Sequence, residues 1–132
     1  MKALKYYIAT GLGNKLAHRR VRNLMDAAGH EITFDWTEYG PAWTDGPEGM
    51  QARSRTDLDG VRDADLVVVL MPGANGTHTE LGAALALGKH IVLYDPEGVM
   101  HKPRATDCCF HWDEGIGLVV NGNIERFMSV LQ

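Results

Sequence analysis

Glu80 stands three residues after Thr77, behind a run that contains Gly73 and Gly76 and ahead of an alanine- and leucine-rich stretch. A carboxyl at a helix start, next to a loop that lets a ligand approach the backbone closely, is placed to attack an electrophilic carbon. The helix dipole favours the ionised form there. An ionised carboxylate is what displacement at a sugar's anomeric carbon requires. Gly82, Ala83 and Ala84 leave the helix start uncrowded. The same spacing fits a capping box, with Thr77 as N-cap and Glu80 bonding back to the Thr77 amide. Pattern alone leaves both roles open. His78, in the first turn, could face a ligand or the solvent, and exposure is the preferred reading.

Three other groupings invite chemistry and are weaker. Gly11-Leu-Gly13 follows a strand-like run, but the dinucleotide fingerprint needs a third glycine where this chain has Leu16, so no redox cofactor is expected. Cys108-Cys-Phe-His111, with His101 nearby, is one incomplete cluster and lacks paired zinc-ligand spacing. No metal is expected from it, and buried strand cysteines are the ordinary reading. Trp36, Tyr39 and Trp43 surround a long loop; Trp36, at a strand's carboxyl end, is expected to line a pocket and stack on a flat ligand.

The elements that must position these groups alternate. Leu4 to Thr10 reads as a first strand, Lys15 to Ala28 as a helix closed by Gly29, and Glu31 to Trp36 as a second strand. Thr37 to Gly49 reads as a loop, and Gln51 to Asp63 as a helix with Ala52, Leu58 and Val61 inward. Leu66 to Met71 is continuously apolar, as a parallel strand buried on both faces must be. Thr77 to Leu87 is expected as a helix ended by Gly88, Ile91 to Tyr94 as a strand and Asp95 to Asp107 as a loop. A weak strand near Cys108 to Trp112 and a helix near Asn123 to Leu131 follow. The implied fold is a doubly wound α/β sheet, parallel throughout, of four or five strands with helices on both faces. Ligands of such sheets sit at the carboxyl ends of the strands. That rule selects Thr10, Gly11, Gly13, Asn14, Trp36, Gly73, Asn75 and Gly76 as binding residues around Glu80.

Composition sets the outer bounds. The 132 residues suit one domain spanning 1–132, and 45% are hydrophobic, enough for a core. A net charge of −4 without a basic stripe argues against duplex nucleic acid. The only two cysteines are adjacent, which points to a reducing compartment. Neither a signal peptide nor a membrane span is expected, so the reading is cytoplasmic.

The motifs carry a family likeness. Tyr7-Ile-Ala-Thr-Gly11, the run from Arg20-Val to Asp35-Trp36, Asp57-Leu-x-x-Val-x-x-Ala-Asp65-Leu-Val-Val-Val and Gly76-Thr-His-Thr-Glu80-Leu-Gly stand in order. Over Leu4 to Tyr94 the chain resembles nucleoside 2-deoxyribosyltransferase-like proteins, a family that includes hydrolases of deoxynucleoside 5′-monophosphates. The resemblance implies that Glu80 is the nucleophile that attacks C1′, that Asp57 contacts or helps protonate the base, and that Tyr7 hydrogen-bonds beside the nucleophile. Taken as residues alone, Asp57 reads as a solvated helix acid, Tyr7 as a core aromatic and Asp65 as a helix-to-strand joint. The family's nucleotide hydrolases hold the 5′-phosphate with a serine before the glutamate. Here that stretch is Pro72-Gly-Ala-Asn-Gly76, which leaves backbone amides there and at Gly11 to Asn14, with Arg19, as the groups for a phosphate. The implied partner is a small nucleoside or nucleotide and the implied assembly a homodimer. The alternative is a non-catalytic nucleotide-binding or sensing module on the same scaffold.

Overall fold

The computed structural model describes residues 2–98, 103, 105 and 107–131. Five strands form one sheet: β1 (Lys5–Ala9), β2 (Glu31–Ile32), β3 (Leu66–Leu70), β4 (His90–Tyr94) and β5 (Ile116–Val120), in the order β2-β1-β3-β4-β5. Every pairing is parallel. The helices are α1 (Lys15–Ala27), α2 (Gly46–Asp63), α3 (Asn75–Ala86) and α4 (Ile124–Leu131). The chain winds outward from β1 to β2, then crosses to the other side of β1 to build β3. The winding reverses between β1 and β3, where doubly wound sheets open a crevice.

Alternation along the strands divides the core. Tyr6 and Ile8 of β1, with Val68 and Leu70 of β3, meet Val21 and Met25 of α1 and Phe127 of α4 on one face. Tyr7 and Ala9, with Val67 and Val69, meet Val61 of α2 and Leu81 and Ala84 of α3 on the other. All five residues of β3 are at most 1% exposed. Burying each such side chain is worth about 1.5–3 kcal/mol, so the central strand is the stiff frame against which the loops are set. Tyr6 and Tyr7 are thus both buried, on opposite faces. Tyr6 donates to Asp26 of α1 at 2.7 Å.

Four boundaries differ from the sequence reading. The second strand stops at Ile32. After it, the Thr33 hydroxyl bonds the Gly60 carbonyl at 2.7 Å, and the Asp35 carboxylate accepts the Thr37 amide at 3.0 Å, turning Trp36–Glu38 into a 3-10 turn. The expected loop from Thr37 to Gly49 contains a second such turn, Ala42–Asp45, and the first residues of α2. Pro47 lies in the first turn of α2, where its fixed φ suits a helix start. Gly49 is there because a Cβ would lie 2.4 Å from the Asp45 side chain. Glycine and proline that read as loop serve here as packing residues. In α2, Val61 is buried and Leu58 half-buried, whereas Ala52 is exposed. Cys109–Trp112 is a 3-10 turn, not a strand, and neither cysteine is buried; the fifth strand follows at Ile116. Much of the expected loop from Asp95 to Asp107, including His101, lies outside the described residues. Among the described residues no helix is long and apolar enough to cross a membrane.

One buried group makes the fold sensitive to acid. His18 of α1 is fully buried, edge-on to Trp36 at 5.0 Å between ring centres, and among the described residues neither ring nitrogen has a hydrogen-bond partner. Burial lowers its pKa from 6.5 to about 4; Asp35, 3.8 Å away, opposes the shift, and Arg22 and Arg19 reinforce it. Between those values the unfolded chain binds a proton that the folded chain refuses. The stability linked to this group is therefore complete above pH 6.5 and is lost as pH falls towards 4. Relative to a His18→Leu variant, the native chain is expected to lose up to about 2 kcal/mol between pH 7 and pH 5 in urea unfolding. Parallel pH profiles for the two proteins would show that His18 is not held neutral.

Candidate active site

The start of α3 is built differently from a Thr-Glu capping box. The helix begins at Asn75, so Thr77 is its third residue and Glu80 its sixth. Thr77 itself reaches back, its hydroxyl accepting the Ala74 amide at 3.0 Å. Gly73 is pressed against this device, for a Cβ there would lie 2.8 Å from the Thr77 methyl. Glu80 is thereby free of capping. It turns inward, is 7% exposed, and accepts a short hydrogen bond from the Tyr7 hydroxyl.

This position changes the electrostatics expected of Glu80. Beyond the first turn the dipole contributes little, and burial dominates. Burial pushes the Glu80 carboxyl up to about 8; the Tyr7 hydroxyl pulls it down, and Asp57 pushes it further up. The dipole expectation is therefore corrected: burial favours the protonated form of Glu80 over the carboxylate. Tyr7 is raised well above the normal phenol range, first by burial and then by the Glu80 and Asp57 charges.

Asp57 and Arg53 lie four residues apart on one face of α2, and Gly60 follows three residues later. Asp57 is raised by burial to about 6, with Arg53 opposing. Its Oδ1 is buried and has no hydrogen-bond partner among the described residues. An orphaned carboxyl oxygen is costly unless something fills it, so this atom awaits a donor. Gly60 lets the helix close on the tyrosine: a Cβ there would lie 2.8 Å from the Tyr7 ring and 3.1 Å from Phe34. Glu80, Asp57 and Tyr7, from three separate elements, thus converge on one electrostatic cluster beside the point where the winding reverses between β1 and β3.

The residues selected at the strand ends divide into two groups. The Thr10 hydroxyl donates to the Leu70 carbonyl at 2.8 Å and accepts from the Asn14 amide group at 3.0 Å. Both side chains brace the ends of β1 and β3 against each other. Gly11 runs alongside Pro72 and Gly73, with 3.5 Å between its hypothetical Cβ and the Pro72 carbonyl. Gly13 and Gly76 have open space where a side chain would stand, and Asn75 is exposed at the start of α3. Trp36, expected to line a pocket, is 7% exposed and belongs to the core cluster that holds Tyr7, and its indole N–H donates to the Ile8 carbonyl at 3.0 Å. Freeing it for a ligand would leave that carbonyl unpaired at a cost of about 1–3 kcal/mol.

Sequence reasoning missed Arg53, Gly60 and Phe34. Arg53 donates to the Gly40 carbonyl at 3.0 Å and lies 5.6 Å from the centre of the Tyr39 ring. With Phe34, Tyr39, Pro41, Ala52 and Thr56 it lines a cavity of about 410 Å³, within the range of small-molecule sites. The heptad-like spacing of Arg53, Asp57 and Gly60 was the available signal. His78 is not a free surface residue either: its Nδ1 bonds the Ala74 carbonyl at 2.7 Å and its Nε2 meets His111 Nε2 at 2.9 Å. With Cys108 these two histidines are the described group that could hold a metal ion.

The family model described as nucleoside 2-deoxyribosyltransferase matches residues 7–126. No curated protein matches by sequence. Among solved structures the chain is similar to the CMP N-glycosidase BcmB of Clostridium botulinum, with 20% identity and a TM-score of 0.61, over 96% of this chain and 97% of that one. At that identity the likeness speaks for the fold.

The contact between Gly60 and Tyr7 can be tested directly. Alanine at an ordinary helix interior position gains up to about 1 kcal/mol over glycine. Here the added methyl must displace the Tyr7 ring, and overpacking of this kind costs about 1–3 kcal/mol. Gly60→Ala is expected to lower stability in a urea melt despite its better helix propensity. A stabilised variant would show that the ring is not clamped.

Proposed function

The chain belongs to the nucleoside 2-deoxyribosyltransferase family, and on that premise we propose that it cleaves the N-glycosidic bond of a nucleoside or nucleoside 5′-monophosphate through a glycosyl-enzyme intermediate. The observation that carries this is the release of Glu80 from capping and its convergence with Asp57 and Tyr7. Tyr7 engages one carboxyl oxygen, Oε2, which leaves Oε1 to attack C1′. As the C1′–N bond breaks, its electron pair passes to the base nitrogen. Protonated Asp57 donates its proton there, a role helped by a carboxyl that burial keeps protonated to about pH 6. Attack needs Glu80 as the carboxylate and Asp57 as the acid, so the one proton that the two carboxyls share near neutral pH must pass from Glu80 to Asp57 before the bond breaks. The positive charge that develops on the sugar carbon favours that arrangement. Water or a second base then attacks C1′ from the opposite side, which releases Glu80 as a carboxylate, and Asp57 recovers its proton.

The cavity walled by Phe34, Tyr39 and Arg53, whose lining on α2 reaches Thr56, the residue before Asp57, is the place for a flat base. The exposed backbone around Gly13 and Gly76 is the place for a 5′ substituent. An N-glycosidase activity in a protein of similar fold is consistent with hydrolysis as the outcome. A module that only binds nucleotides would leave Glu80 as a cap; Thr77 has that task here. Soluble existence in the cytoplasm and assembly as a homodimer are part of the same proposal.

The test is incubation with a panel of nucleosides, 2′-deoxynucleosides and their monophosphates, with chromatography for released base. Glu80→Gln is expected to lose at least about a hundredfold in turnover with every substrate. Asp57→Asn is expected to lose about 10²–10⁴-fold with ordinary bases, and far less with a leaving group that departs without a proton. Unimpaired release by Glu80→Gln overturns the mechanism. Appearance of a new nucleoside when a second free base is added distinguishes transfer from hydrolysis.

A further inference from the structure

His78, Cys108 and His111 come together from two parts of the chain far apart in sequence. Their potential ligand atoms, one from each, all lie within 4.8 Å of one another. His78 is on the first turns of α3, Cys108 precedes the Cys109–Trp112 turn, and His111 is inside it, buried to 6% exposure. We propose that these three side chains bind one transition-metal ion of the zinc class, tying the 108–112 turn to the start of α3. The proposal is independent of the glycosidic reaction.

The hydrogen bonds prepare the site for a ligand. A carbonyl can only accept, so the 2.7 Å contact to Ala74 fixes the hydrogen of His78 on Nδ1. Its Nε2 is then a bare lone pair, held in place by the kind of outer bond that orients metal-bound histidines. Gly73 backs the same ring from the other side, with 3.4 Å between its hypothetical Cβ and His78 Cε1. The lone pair points at His111 Nε2, 2.9 Å away, so a single hydrogen lies between the two nitrogens. A metal ion replaces that hydrogen. On binding, His111 exchanges its Nε2 hydrogen for one on Nδ1 through solvent and stays a neutral imidazole, the proton of the Cys108 thiol passes to solvent, and no electron is transferred.

Distances and donor types select the ion. Bonds of about 2.0–2.3 Å to zinc place tetrahedral donors roughly 3.3–3.6 Å apart. The imidazoles must therefore separate by a few tenths of an ångström and the sulfur close in by about one, movements within the reach of side-chain rotation. Two imidazoles and a thiolate suit zinc-class ions and not calcium or magnesium, which require oxygen. Three protein ligands leave one tetrahedral position for water or another donor. Two residues along a helix amount to about 200° of rotation, so an ion on His78 lies on the other side of α3 from the inward-facing Glu80. It is a strut and not a reacting group.

The untagged full chain, stripped with a chelator, is titrated with zinc sulfate by calorimetry and with cobalt chloride by absorption. The expected result is one ion per chain, tetrahedral cobalt bands and a sulfur-to-cobalt charge-transfer band, with a rise in the thermal midpoint on zinc addition. His78→Ala and Cys108→Ser are expected to weaken binding by at least about tenfold, and Cys108→Ser to abolish the charge-transfer band. Cys109→Ser and Glu80→Gln should bind as the native chain does. Circular dichroism of the metal-free variants must match the metal-free native chain; His78→Ala, at a half-buried position, keeps the test open if Cys108→Ser does not fold. Binding by the native chain no tighter than by His78→Ala overturns the proposal. So does a charge-transfer band that survives in Cys108→Ser or is lost in Cys109→Ser.

Discussion

A hydroxyl from the first strand meets a carboxyl from the third helix, and both side chains are buried. The hydrogen bond from Tyr7 to Glu80 joins β1 to α3 across the point at which the sheet reverses its winding. It satisfies two polar groups that would be costly to bury singly. It also fixes which carboxyl oxygen is engaged and holds the side chain away from its own helix end. That bond exists because the Tyr6-Tyr7 pair alternates: one ring anchors α1 through Asp26 and the other reaches α3. A one-residue slip of β1 would exchange the two rings and dismantle both anchors.

The second helix supplies what this bond lacks. Gly60 allows close approach of α2 to the Tyr7 ring, and the same helix face brings Asp57 and Arg53 alongside. Asp57 raises Glu80, while Arg53 lowers both Asp57 and Tyr7. The result is a pair of carboxyls, each held above its ordinary range chiefly by burial, with one oxygen of Asp57 left unpaired among the described residues. Perturbed acids gathered beside a crevice are the physical pattern of a reacting site. Here the pattern arises from backbone proximity at a glycine and not from any loop rearrangement.

Much of the frame was legible and the details were not, for identifiable reasons. The apolar run of β3 and the alternation of strands with helices fix a doubly wound parallel sheet, because few other arrangements bury such a strand on both faces. The start of α3 was misplaced because Ala74, at the cap, carries no side-chain signal, whereas Thr77 has the composition of a cap and does that work from inside the helix. The dipole expectation for Glu80 failed with it, since three residues separate a first turn from a helix interior. Asp57 by itself reads as a surface acid. Only the likeness to a family marked it, because its burial depends on Tyr7 and on the neighbouring helix turns. Trp36 looked like a ligand platform from its place at a strand end, but β2 ends early and the indole is drawn into the core. The meeting of His78 with His111 spans 33 residues and no local pattern encodes it.

The segment between β2 and α2 has a consequence of its own. Tyr39 and Trp43 are 55% and 71% exposed, yet Tyr39, Pro41 and Thr44 form one wall of the cavity that Arg53 and Thr56 of α2 also line. That wall contributes little to the apolar interior, while the paired acids sit on elements rooted in it. Replacements along the wall can therefore reshape what the hollow admits at small cost to folding. Selectivity and reactivity are carried by different stretches of chain, so lineages on this scaffold can diverge in ligand preference while their inner machinery stays unaltered.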